Sequence, residues 1–220
     1  MPDRQIVACG GFLLGSPVQD YVLGLARGPR ALYVPTASME NANLVLAFYE
    51  SMRGRGEADH LVFNPYPPED LRAFVRSFDA IFVAGGNTAN MLAVWRVHRF
   101  DELLREAWES GVVLAGTSAG MICWFEAGVT DSFGLQLEGM RDGLGFLAGS
   151  ACPHYDGEER RRPRYRELVD DGFPAGYAAD DGAALHFVGT ELREVVSVRD
   201  GATAYRVEPG SETPLEARTL

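Results

Sequence analysis

Short apolar runs alternate with segments whose apolar residues recur at helical spacing. The runs at Gln5–Cys9, 31–35, 60–64 and 79–84 read as strands, the last as a fully buried one. Thr36-Ala37-Ser38 reads as a loop and helix cap. Helices are predicted over 43–53, over 69–77 after Pro67-Pro68, over 88–95 and over 99–110. A strand begins at Val112, and residues 121–125 follow its turn without a breaker, as the first turns of a buried helix would. Residues 131–149 are glycine-rich and lose the periodicity. Leu168 and Val169 fit a short helix, and Ala183–Val188 and 194–198 fit strands. Arg199-Asp200-Gly201-Ala202 reads as a hairpin turn with 203–207 returning, and the polar tail from Glu208 reads as frayed. Strands alternating with helices imply an α/β fold, a mostly parallel sheet flanked by helices on both faces with a C-terminal antiparallel hairpin at its edge. No repeat, low-complexity tract or linker divides residues 1–220, so one domain is expected.

Two strand ends carry candidate chemistry. After the run from Val112 comes Gly116-Thr117-Ser118-Ala119-Gly120, a G-x-S-x-G turn between strand and helix. In that setting a serine sits at a sharp turn with its hydroxyl exposed, and side chains in place of the glycines would crowd it. The Ala119 N–H, at the helix start, is placed to meet a developing oxyanion. After the 79–84 strand comes Gly85-Gly86-Asn87-Thr88. Its glycines let backbone approach a ligand, the Gly86 N–H is a second oxyanion donor, and Asn87 and Thr88 are candidate substrate contacts. Ligands of open α/β sheets bind beyond the carboxyl ends of the strands, so both turns are expected to share a crevice.

Composition narrows the chemistry. All 20 basic residues are arginine, which removes Schiff-base lysines, a P-loop lysine and a Ser-Lys dyad. Histidine is then the expected base. His60 and His98 have no catalytic company, and His186 lies in an apolar strand pattern. His154, in the polar turn Cys152-Pro153-His154-Tyr155-Asp156-Gly157, is the candidate. Its orienting acid is Asp131 or one of Asp180-Asp181, and spacing does not choose between them. A net charge of −11 argues against nucleic acid or an anionic membrane as partner. No histidine stands near enough to His154 to support a metal site, and three scattered cysteines suggest neither disulfides nor zinc. No cofactor is expected. The first residues lack the basic and apolar regions of a signal peptide, and no apolar run is long enough to span a membrane, so a cytoplasmic location is expected.

The stretch from Phe82 to Leu92, containing Gly85-Gly86-Asn87-Thr88, resembles the G-G-N-T segment of the peptidase E family. Gly116-Thr117-Ser118-Ala119-Gly120 resembles that family's nucleophile motif, and Pro153-His154-Tyr155 its histidine motif. Arg164-Tyr165-Arg166-Glu167-Leu168 is similar to its arginine-bearing helix. The ordered set covers roughly residues 5 to 200. The resemblance implies a serine dipeptidase or exopeptidase on a class I glutamine amidotransferase-like fold, acting on short peptides and in particular on Asp-X dipeptides. It assigns Ser118 as nucleophile, His154 as base, Asp131 as acid with Asp181 the other acidic position, and Gly86 and Ala119 as the oxyanion hole. It assigns Arg161 or Arg164 to a substrate aspartate. A cyanophycinase-like hydrolase shares this elbow and fold, and a non-catalytic binding module of the same fold is the alternative from another class. A homo-oligomer is left open.

Overall fold

The computed structural model describes residues 3–11 and 13–220. The first half runs β1 (Gln5–Cys9), α1 (Pro17–Leu25), β2 (Arg30–Val34), a 3₁₀ turn at Thr36–Ser38, α2 (Ala42–Ser51), β3 (Glu57–His60), α3 (Leu71–Arg76), β4 (Ala80–Val83), α4 (Thr88–Val97), α5 (Phe100–Glu109), β5 (Val113–Thr117) and α6 (Ala119–Ile122). The second half runs β6 (Phe125–Thr130), β7 (Glu138–Met140), β8 (Leu147–Cys152), α7 (Arg161–Asp170), β9 (Gly176–Ala179), β10 (Ala183–Val188), β11 (Glu191–Ser197), β12 (Ala204–Glu208), β13 (Ser211–Pro214) and β14 (Ala217–Thr219).

Eight strands form the main sheet in the order β14-β11-β10-β1-β5-β4-β2-β3. From β1 through β3 every pairing is parallel, and β10 joins β1 and β11 antiparallel. β1, β4 and β5 are almost wholly buried because helices cover both faces. On one face α1 and α2 bury Val18, Val22 and Phe48 over Val7, Tyr33 and Phe82. On the other, α4 and α5 bury Trp95, Phe100, Leu104 and Trp108 over Ile6, Ile81 and Leu114. Spacings of three and four put Phe100, Leu103, Leu104, Ala107 and Trp108 on one stripe of α5, which fixes the face it presents. Local chemistry starts the helices. Ser16 accepts from the Val18 N–H at 3.2 Å, Asp70 from Ala73 at 2.9 Å and Asn87 from Asn90 at 2.8 Å.

A second sheet, β13-β12-β9-β8-β6-β7, packs beside the α4–α5 face. Several sequence expectations change here. The helix expected at 121–125 is one short turn, Ala119–Ile122, and Phe125, in β6, already pairs with Leu147 of β8. A continuous apolar run does not distinguish a buried helix from a buried strand. The 131–149 stretch contributes β7 and the start of β8. C-terminal antiparallel hairpins are present, at β10–β11 and β12–β13. The strand after the 199–202 turn, however, does not return along β11. Asp180 captures it, with Thr203 N–H bonded to its carboxylate at 3.0 Å, and β12 pairs with β9. The tail from Glu208 is not frayed, since β13 pairs with β12 and β14 with β11. The 60–64 strand moves back to Glu57–His60. Leu61 and Phe63 are buried, but Phe63 packs on the Phe100 ring at 5.4 Å instead of extending the sheet.

Candidate active site

Ser118 stands at the carboxyl end of β5 with φ 56° and ψ −112°. A non-glycine residue in that region stores about 1–3 kcal/mol of strain. The packing around it holds the strain in place. A Cβ on Gly116 would overlap the Gly120 carbonyl, and one on Gly120 would lie 2.6 Å from the Val83 carbonyl oxygen. The elbow is therefore locked between β4 and α6, and its glycines are required by close approach. The Ser118 N–H donates to the Cys9 carbonyl at 3.2 Å, while its hydroxyl has no hydrogen-bond partner among the described residues. Ala119, the first helical residue, has no intrahelical acceptor for its N–H. Gly85 abuts the serine, since a Cβ there would lie 3.1 Å from the Ser118 Cβ. Gly86, at φ 135°, follows on the open side, and neither its N–H nor that of Ala119 is bonded elsewhere among the described residues.

His154 also has positive φ, 53°. The Tyr155 N–H donates to the Ala179 carbonyl at 3.1 Å and pins this turn to the end of β9. The His154 Nδ1 donates to Asp181 Oδ1 at 2.6 Å, with side chains 24% and 21% exposed. A carboxylate only accepts, so Nδ1 carries the proton of this bond, and in the neutral ring Nε2 then holds the free lone pair. Ser118 and His154 line one cavity of about 420 Å³ together with Leu13, Leu14, Tyr33, Leu44, Val83, Ala84, Gly85 and Thr117. The two side chains share that space without a direct hydrogen bond, and such bonds often tighten only around substrate.

The structure treats the candidate acids differently. Asp181 is seated between two glycines, since a Cβ on Gly11 or Gly157 would overlap its carboxylate. Its N–H donates to Asp156 Oδ1 at 2.8 Å, and Arg199 Nε donates to its carbonyl at 3.0 Å while pairing with Asp156. Asp180 turns away. Its carboxylate is buried against Thr203 and Tyr205, and desolvation pushes its pKa up. Asp131 lies exposed beyond β6, in a separate pocket with Glu158, Glu159 and Arg160, and has no hydrogen bond to His154.

Other predicted contacts are engaged structurally. Asn87 caps α4, and its Nδ2 donates to the Ser132 carbonyl at 3.0 Å. Thr88 is buried and accepts from Thr130 at 3.4 Å. Arg161, 3% exposed, spends its fork on Glu158 at 2.7 Å and donates to the Val129 carbonyl at 3.2 Å. Arg164 donates to the Leu137 carbonyl and pairs with Glu167. Neither arginine lines the Ser118 cavity. The thiols of Cys9 and Cys152 are buried and pushed up to about 12 by desolvation. Among the described residues no group of three or more His, Cys, Asp or Glu side chains is arranged to hold a metal ion. No helix among them is long and apolar enough to cross a membrane. Sequence reasoning missed Gly11, Gly157, Asp156 and Arg199 as supports of Asp181, and Leu13, Leu14, Tyr33 and Leu44 as cavity walls. Gly10-Gly11 after β1 and Asp156-Gly157 after the histidine were the available signals.

A strained serine at a strand-to-helix elbow, facing an imidazole oriented by a carboxylate, defines the class of serine hydrolases with an α/β scaffold. The chain belongs to peptidase family S51, whose model matches residues 15–195. It is 47% identical over 230 residues to the uncharacterized peptidase YgaJ of Bacillus subtilis (strain 168), covering 99% of each chain. It is 29% identical over 175 residues to the peptidase E of Shewanella denitrificans, covering 74% of this chain and 73% of that one. Among solved structures, a peptidase from an acI-B1 Actinobacterium matches with a TM-score of 0.69 at 18% identity, over 98% of this chain and 95% of the other. A putative peptidase E protein from Listeria monocytogenes EGD-e matches with a TM-score of 0.66 at 19% identity, over 90% and 100%. The fold is thus that of peptidase E proteins, and the protein is a serine peptidase.

Proposed function

We propose that this peptidase is a cytosolic dipeptidase, or short-peptide exopeptidase, working through Ser118, His154 and Asp181 as one domain. The observation that carries the reading is the 2.6 Å His154–Asp181 bond beside the Ser118 cavity. His154 Nε2 takes the Ser118 proton as Oγ attacks the scissile carbonyl. The N–H groups of Ala119 and Gly86 receive the oxyanion. The C–N bond breaks as the imidazolium returns the proton to the leaving amine. Water, deprotonated by the same imidazole, then releases the acyl group. The cavity's size, about 420 Å³, suits one or two residues of a peptide and not a folded chain. Three buried, unpaired cysteines fit a reducing compartment.

The test is steady-state hydrolysis of a dipeptide panel by the wild type and by Ser118→Ala. A fall in kcat of about 10⁴-fold or more is expected, with residual rate from binding and the oxyanion donors alone. Turnover that survives in Ser118→Ala would remove the serine mechanism.

A further inference from the structure

The cavity beside Ser118 has a largely apolar wall. Leu13, Leu14, Tyr33, Leu44, Val83 and Ala84 form it, with no carboxylate or guanidinium among the described residues that line it. The Tyr33 ring is 3% exposed and is fixed by stacking on Phe48 at 4.9 Å. Its hydroxyl has no hydrogen-bond partner among the described residues and is the one polar side-chain group of these six, with Gly85, Thr117, Ser118 and His154 completing the described lining.

We infer that the Ser118 cavity selects peptides whose acyl-donating residue carries a neutral apolar side chain of the leucine, methionine or phenylalanine class, and discriminates against aspartate. The inference rests on the serine-peptidase reading above and adds the substrate class. A carboxylate entering this wall loses its hydration and meets one neutral hydroxyl in return. Burying an unpaired charge costs more than a single hydrogen bond from tyrosine restores. None of the arginines that follow His154 lines this cavity. Arg160 sits in the separate pocket with Asp131 and donates to the Leu135 carbonyl at 3.4 Å, and Arg162 pairs with Glu212. Arg161 is bound to Glu158 and the Val129 carbonyl, and Arg164 to Glu167 and the Leu137 carbonyl. An apolar side chain carries no such cost and is favoured by leaving water.

The experiment compares two readouts on the full chain. One is kcat/KM for Leu-X, Met-X, Phe-X and Asp-X dipeptides with the same X. The other is the rate at which diphenyl phosphonate analogues of leucine and aspartate label Ser118, followed by intact mass. In that reaction Oγ displaces phenoxide from phosphorus and needs no turnover. The leucine, methionine and phenylalanine peptides are expected to exceed the aspartate peptide by about 100-fold or more, with the same order in labelling. Leu44→Arg, which puts a guanidinium at the cavity rim, is expected to shrink that ratio at least tenfold. Asp-X cleaved and labelled as fast as Leu-X, with both lost in Ser118→Ala, would overturn the inference and leave the serine reading standing. No labelling by either phosphonate and no cleavage would overturn both.

Discussion

Two loops of this molecule offer a carboxylate near the catalytic turn, and they are built in opposite ways. The junction between β9 and β10 holds Asp181 from every side. Gly11 and Gly157 leave it space, Asp156 takes its N–H, Arg199 takes its carbonyl and His154 takes its carboxylate. The loop after β6 holds its own backbone, through Asn87 and Ser132, but leaves the Asp131 side chain exposed among other acids. Orientation of a catalytic base needs a fixed acceptor, and the first loop supplies that while the second does not. The second loop instead absorbs the arginines that follow His154. Arg161 reaches back to the Val129 carbonyl of β6 and Arg164 to the Leu137 carbonyl, so these guanidinium groups tie α7 to that loop.

The sharpest way to break this contrast is to neutralise each acid in turn. Asp181→Asn should lower kcat by about 10²–10⁴-fold, because the wrong tautomer is favoured, while Asp131→Asn stays within about threefold. Steady-state kinetics on one dipeptide would decide, and the reverse order would transfer the orienting role to Asp131. Gly157→Ala comes next. Its methyl group displaces the Asp181 carboxylate, and kcat should fall about 10–100-fold while KM changes little. The downfield His154 Nδ1 proton resonance should weaken with it. For the other loop, Arg161→Met should lower stability by about 1–3 kcal/mol in urea unfolding, since it strands the Val129 carbonyl and half-exposed Glu158. The ratio of Asp-X to Leu-X cleavage should not move. Arg199→Gln should have a smaller effect, a few-fold in kcat, because its pair with Asp156 is partly exposed and the Asp156 bond to the Asp181 N–H survives.

His186 is the control outside both loops. Burial pushes its imidazole below the usual range, with Glu194 opposing and Arg193 assisting. Its folded pKa is below the unfolded one, so the neutral ring's contribution is present above about pH 6.5 and is lost as pH falls toward the folded value. His186→Gln should flatten the decline of the thermal midpoint between pH 7 and pH 5 and leave kcat unchanged.

Much of this was legible along the chain. The strands β1, β2 and β4 and the helices α4 and α5 announce themselves because each buries a stripe or run of matching period. Ser118 was legible because its elbow needs glycines on both sides, and His154 because it sits in a polar, turn-rich segment while His186 lies in an apolar strand pattern and His98 between Arg96 and Arg99. The second sheet was not legible. Its strands are short, carry glycine and alanine, and gain stability from partners distant in sequence, as β9 does from β8 and β12.

The sequence by itself determined the reaction class. With no lysine, a G-T-S-A-G elbow and one histidine in a polar turn, few mechanisms remain, because nucleophile and base are chemical identities. Only the tertiary structure decided which acid bonds that histidine, what the arginines bind and what lines the cavity. Those turn on distances between segments far apart in sequence, such as His154 and Asp181, 27 residues apart, or Arg161 and Val129, 32 apart. Local pattern carries no such distance. Packing sets it, through glycine gaps that admit one carboxylate and ion pairs that occupy Arg161 and Arg164 before a substrate arrives.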